Sequence, residues 1–142
     1  MGAPGDPIDF VVDASALAKL FLEEIESEAF RAWYVAEVQR GSTFGAPALL
    51  GYEMAHLLAS NIEAPGAKRE AAKWWARRLD EILDGIDLDD NAARHVFPWM
   101  PHLSGYDASY LAVATLHKAS IVSYDRRMLT EAERQGLRTI TP

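Results

Sequence analysis

Four carboxylic acids occupy positions from which they could act together. Asp13 closes the apolar run Ile8-Asp9-Phe10-Val11-Val12 and leads into the helix-like Ala14-Ser15-Ala16-Leu17. Asp125 repeats the pattern near the other end, after Ser120-Ile121-Val122-Ser123-Tyr124 and before Arg126-Arg127-Met128-Leu129. Glu53 and Asp107 lie in the early turns of two helical patterns otherwise filled by apolar residues. Carboxylates brought close together repel, so such a cluster requires protonation, a basic partner or a divalent cation. Hard oxygen donors favour Mg²⁺ or Mn²⁺. Each acid also has a plain structural reading. Asp13 and Asp125 can be helix N-caps, an effect of roughly 1 kcal/mol. Asp107, three residues after Ser104, fits a capping box, and Glu53 can be a solvated helix residue.

The elements that must position these acids alternate in type. Helical spacing runs over Ser27 to Gln39, stopped by Gly41, and over Ala48 to Asn61, preceded by Pro47 and followed by Pro65-Gly66. A third helix is expected over Ala67 to Leu83, ended by Gly85, with Arg69, Lys73 and Arg77 stacked on one face. Ile86 to Leu88 reads as a short strand, and Asp89 or Asp90 as a cap for a helix from Asn91 to Phe97 before Pro98 and Pro101. Tyr106 to Lys118 is strongly helical; then follow strand Ser120 to Tyr124, helix Arg126 to Gln135, Gly136 as a stop, and strand Leu137 to Ile140. Strands alternating with helices favour a parallel sheet covered on both faces, with its ligand crevice beyond the carboxyl ends of the strands. Asp13 and Asp125 both point there.

Composition bounds the function. The 142 residues suit one domain spanning 1–142, without internal repeats. Cysteine is absent, which excludes disulfides, thiolate nucleophiles and Cys-based zinc sites. Met1 to Pro7 shows neither a basic start nor an apolar signal core, no apolar run is long enough to span a membrane, and the cytoplasm is the expected compartment. A net charge of −7 opposes a broad phosphate-neutralising surface, although cations bound by the four acids would offset part of it. No nucleophile elbow, P-loop or dinucleotide fingerprint is present.

The segments Val12-Asp13-Ala14-Ser15-Ala16-Leu17-Ala18-Lys19-Leu20-Phe21, Glu53 in its helix, Tyr106-Asp107-Ala108-Ser109-Tyr110-Leu111-Ala112-Val113-Ala114, and Val122-Ser123-Tyr124-Asp125-Arg126-Arg127 together resemble the PIN-domain ribonucleases, especially VapC-type toxins of toxin-antitoxin pairs. The resemblance spans nearly the whole chain. It departs at Gly51-Tyr52, where relatives often carry a small or hydroxyl residue directly before the acid. It implies a three-layer α/β/α sandwich with a central, mainly parallel sheet. It makes Asp13, Glu53, Asp107 and Asp125 the metal-holding quartet, with Asp13 and Asp107 first in line as direct Mg²⁺ (or Mn²⁺) ligands. Ser15 and Ser123 match hydroxyl positions that could orient a ligand or water. The implied reaction is hydrolysis of an RNA phosphodiester by water; the implied partners are a VapB-like antitoxin and a second copy of the chain.

Other features carry less. Lys19, Arg126 and Arg127 are candidate RNA contacts, whereas the Arg69, Lys73, Arg77 stripe reads first as a solvated face. Trp33, Trp74 and Trp75 suggest a docking surface, and Trp99, like them, can also simply pack. Glu53 and His56 have Glu-x-x-His spacing but no second copy, so His56 is taken as structural; His95, His102 and His117 lack ligand spacing. Two rival readings are a non-catalytic PIN-like module whose acidic pocket binds a basic segment, and a phospho-acceptor receiver domain. The latter fails because Lys118 precedes the strand it should follow.

Overall fold

Apolar, β-branched residues at Val11, Val12, Ile121 and Val122, all fully buried, make two adjacent inner strands of the sheet. The computed structural model describes residues 7–63, 66–96 and 102–142. Pro65, the helix end at Phe97 with Pro98 and Pro101, Trp99, and Met1 to Asp6 lie outside the described residues. Among the described residues five parallel strands, β1 (Phe10–Val12), β2 (Phe44–Pro47), β3 (Ile86–Asp89), β4 (Ser120–Val122) and β5 (Thr139–Ile140), are ordered β3-β2-β1-β4-β5. The helices are α1 (Ala14–Leu17), α2 (Ser27–Gln39), α3 (Leu50–Ile62), α4 (Ala67–Ala76), α5 (Leu79–Leu83), α6 (Gly105–His117) and α7 (Arg126–Arg134). The result is the expected α/β/α sandwich. Among the described residues no helix is long and apolar enough to cross a membrane.

The strand order has one consequence for function. The chain steps outward from β1 to β3, then returns to lay β4 on the other side of β1, with Phe10, Val11 and Val12 in register with Ser120, Ile121 and Val122. The order therefore reverses between β1 and β4, and in open α/β sheets the crevice outside such a reversal is where ligands bind. Asp13 and Ser123 immediately follow those two strands.

One strand was not anticipated, and two expectations change. Phe44–Pro47 is a central strand that Gly45 and Pro47 disguise as a loop. Gly45 is required there because a Cβ would lie 2.3 to 2.9 Å from the side chain of buried Ile8. The helix over 67–83 breaks between α4 and α5: the Arg78 side chain donates to the Trp74 carbonyl at 2.9 Å, while the Arg78 N–H turns to Trp75 instead. The expected helix from Asn91 begins as a 3₁₀ turn, Ala92–His95, and Asp89 serves a turn by accepting from the Asn91 N–H at 2.7 Å.

The core is centred on α6, whose residues Ala108 to Ala114 are all buried, the helix packing on β1, β2 and β4 and also on the 3₁₀ turn Ala92–His95 and α7. A second layer is aromatic: Trp33 meets Phe10 edge-on at 5.1 Å between ring centroids, and Tyr34 meets Phe44 at 4.7 Å. Trp33 thus belongs to the packing of α2 on β1 and β2, not to a docking surface. Trp75 is half-buried against Phe21 at 4.8 Å, and Trp74 alone of the three is largely open, under the Arg78 guanidinium. Gly45→Ala should lower the unfolding free energy by about 1–3 kcal/mol through overpacking against Ile8; an unchanged urea midpoint would show that Ile8 yields without cost.

Candidate active site

Asp13 follows β1 with extended backbone and caps α1, its Oδ1 accepting from the Ala16 N–H at 2.9 Å. The same oxygen accepts from the Ser15 hydroxyl at 2.7 Å, and Oδ2 accepts from the Ser123 hydroxyl at 2.5 Å. Ser15 and Ser123 also brace the opposite turn. The Ser15 Oγ accepts from the Tyr124 N–H at 3.1 Å, and the Ser123 Oγ accepts from the Asp125 N–H at 2.9 Å. Asp125 in turn caps α7 through the N–H groups of Arg127 and Met128. Both capping readings therefore hold, and the two caps are joined side by side through the serines.

Glu53 sits in the first turn of α3, just beyond the end of β2, and Asp107 in the first turn of α6, whose N-cap Ser104 accepts from the Asp107 N–H at 3.1 Å. Tyr110, one turn beyond Asp107 and buried, donates its hydroxyl to Glu53 Oε1 at 2.5 Å. This link between α6 and α3 was not anticipated from the sequence; its only signal was the three-residue spacing that puts Tyr110 on the face of α6 shared with Asp107. Glu53 and Asp107 form the wall of a cleft of about 640 Å³, together with Tyr52, Tyr106, His56 and Ser104.

The charges sense one another. Burial raises the Asp13 carboxyl pKa above its ordinary value; the bonds from Ser123, Ser15 and Ala16 pull it back in part, and the Asp125 charge pushes it further up. Burial likewise raises Glu53, the Tyr110 bond opposes, and the charges of Asp107 and Asp13 add to the rise. The Tyr110 hydroxyl, buried against Glu53, is pushed far above its ordinary range and remains a donor. None of the four acids forms an ion pair among the described residues.

The donor set suits a hard cation in its chemistry, being carboxylates and hydroxyls without a neutralising base. Among the described residues no three acids or histidines converge tightly enough to make a closed protein cage. Mg²⁺ does not need one, since it is commonly held by one or two carboxylates with water and substrate phosphate completing the octahedron.

The candidate RNA contacts divide. Lys19 is buried, its Nζ held by Glu24 at 3.1 Å and Glu26 at 3.0 Å and seated 4.9 Å from the Tyr124 ring centre, so it braces the strand-end turn and is not a free phosphate contact. Arg126 and Arg127 are exposed at the start of α7 beside Asp125, with Arg127 donating to the His102 carbonyl at 3.2 Å. Arg69 and Lys73 on α4 and Arg77 at its C-cap are exposed, as a solvated face would be. His56, His95 and His102 are exposed, and His117 lies 3.7 Å from Asp89.

Asp13 contributes one part of the pH dependence of stability. Its folded pKa lies above the ordinary 3.8, so the folded chain holds the extra proton through that window and loses stability as pH rises. Without divalent metal, Asp13→Asn should gain unfolding free energy relative to the parent as pH is raised from acid to neutral. A difference independent of pH in urea titrations with chelator would refute this.

The PIN-domain family model matches residues 10–134. No curated protein matches the sequence. Among solved structures, PAE2754 from Pyrobaculum aerophilum is similar at 23% identity and a TM-score of 0.67, over 94% of this chain and 84% of that one. FitAcB from Neisseria gonorrhoeae is similar at 15% identity and 0.66, over 94% and 97%. FitAB bound to an IR36 DNA fragment is similar at 14% and 0.63, over 92% and 93%. At these identities the likeness is one of fold. PIN domains are generally nucleases, which supports a hydrolase. With the match running from β1 to the end of α7, the chain belongs to the PIN-domain family.

Proposed function

We propose that the chain is a metal-dependent ribonuclease that hydrolyses RNA phosphodiester bonds, and that it is the toxin of a VapBC-type pair. One observation supports this above the others: separate parts of a PIN-domain chain bring Asp13, Glu53, Asp107 and Asp125 near one end of the sheet, and no cationic side chain among the described residues neutralises them. In this reading Asp13 and Asp107 hold Mg²⁺ or Mn²⁺ directly, and Glu53 and Asp125 hold it directly or through water. When bound, such a cation would activate a water and offset charge on the attacked phosphate.

The protein's own groups have definite tasks. Ser15 and Ser123 fix the Asp13 carboxylate and keep it from rotating away from the crevice. Tyr110 holds Glu53 in the same manner. Arg126, unpaired among the described residues and one position past Asp125, is placed to take a flanking phosphate. A VapB-like segment would lie in the apolar groove of about 660 Å³ that starts at Ser15 and is walled by Ala18, Phe21, Leu22 and Leu57. A homodimer in the cytoplasm completes the proposal, with Trp74 as the remaining tryptophan candidate for contact.

One rival is a non-catalytic binding module whose acidic pocket takes a basic segment, since Glu53 and Asp107 in the cleft wall could equally receive a cationic side chain. Cleavage separates the two. Purified protein freed of inhibitor should cut total cellular RNA with Mg²⁺ or Mn²⁺, chelation should abolish the activity, and Asp13→Asn should reduce it by on the order of 10²-fold or more. Mn²⁺ should raise the melting temperature of the parent and not of Asp13→Asn. Absent cleavage in the parent would leave the binding-module reading, and cleavage that survives chelation would overturn the metal dependence. Arg126→Ala should weaken RNA binding across sequences and lower the salt slope by about one; an unchanged slope removes Arg126 from the phosphate path.

A further inference from the structure

Three of the five tyrosines are absorbed by the fold. Tyr110 is buried on Glu53, Tyr34 packs against Phe30 and Phe44, and Tyr124 donates its hydroxyl to the Pro142 carbonyl at 2.9 Å. Tyr52 and Tyr106 have no such employment. They are 81% and 72% exposed, and neither ring packs on another aromatic ring among the described residues. A single exposed apolar side chain is ordinary. These two, however, line the same cleft, and each immediately precedes one of the acids in its wall, Tyr52 before Glu53 and Tyr106 before Asp107. Tyr52 is also the residue at which the chain departs from the small or hydroxyl side chain expected before the acid.

The chemistry of the cleft narrows what can fill it. Its lining holds Glu53 and Asp107 and neither lysine nor arginine, so an additional phosphate would be repelled. A nucleobase is neutral and planar, and stacking on an aromatic side chain is worth about 5-fold or more in affinity per base. His56, exposed in the same lining, offers ring nitrogens to a base edge. Bases inside a duplex are already stacked on their neighbours, so only an unpaired nucleotide can present its face.

We propose that Tyr52 and Tyr106 form the base-binding walls of this cleft, each stacking on an unpaired base beside the carboxylates. The proposal rests on the ribonuclease reading for the identity of the polymer, and its test does not depend on cleavage. Asp13→Asn protein, silenced for cutting, is titrated in Mg²⁺ buffer against a short labelled single-stranded oligoribonucleotide and against the same sequence closed into a hairpin stem. Tyr52→Ala and Tyr106→Ala should each weaken binding of the single strand by about 5-fold or more, and Tyr52→Phe and Tyr106→Phe, which keep the stacking face, should bind within about twofold of the parent. The stem should bind more weakly than the single strand.

Failure of the silenced protein to bind the single strand, alanine variants that bind as tightly as the parent, or a stem bound equally well would each overturn the proposal, even if the wild-type chain cuts RNA. Conversely, tyrosine-dependent binding in a chain that cuts no RNA supports the base-binding cleft and sinks the hydrolytic reading alone. Sedimentation of the alanine variants covers the remaining case. If they convert a dimer to monomers, the two rings belong to an interface between copies, and the proposal falls.

Discussion

The Asp13 carboxylate, buried between the ends of β1 and β4, is the constraint on which the site depends. It is satisfied by one donor from its own helix and by two serine hydroxyls, one of them 110 residues away in sequence. A buried charge left without such donors would cost several kcal/mol. Because Ser15 and Ser123 each also receive a backbone N–H from the β4 to α7 turn, the two strand exits are tied into one polar unit. The parallel register of β1 on β4 brings those exits level, and the polar unit then holds them there.

Around that unit the fold gathers negative charge. Glu53 responds to Asp107 and Asp13, and Asp13 responds to Asp125, so the acids share one electrostatic environment although they stem from four segments of the chain. The buried lysine, Lys19, is held by Glu24 and Glu26. Its place explains why an acidic crevice persists beside a lysine: desolvation opposes its charge, and the hydrogen bonds to Glu26 and Glu24 outweigh that and raise its pKa. The repulsion among the acids, left uncompensated by the protein, is what makes a hard cation the natural occupant in the proposed function.

Much of this was legible in the sequence because it is local. An apolar run ending in Asp before helix-forming residues gives a strand, a cap and an exit, and Ser104 three residues ahead of Asp107 gives another cap. What was hidden is non-local. Phe44–Pro47 has a loop's composition, and only the approach of Ile8 makes Gly45 a packing requirement in a central strand. The break between α4 and α5 depends on Arg78 reaching back to Trp74, and Trp33 counts as core only once α2 lies over Phe10 and Phe44. Lys19 looked available to a phosphate until two glutamates from the following loop and helix start closed on it.

The amino-acid sequence by itself determined the strand-helix alternation, the positions of the four acids at the starts of helices, and the family resemblance, since periodicity and capping act over a few residues and are written in neighbouring side chains. The tertiary structure alone decided that β4 lies beside β1, that Ser123 bonds Asp13, that Tyr110 bonds Glu53, and that Tyr52 and Tyr106 face one cleft. Those are contacts between residues far apart in the chain. They exist because burying the apolar faces of β1, β4 and α6 together is what brings their polar ends to the same edge.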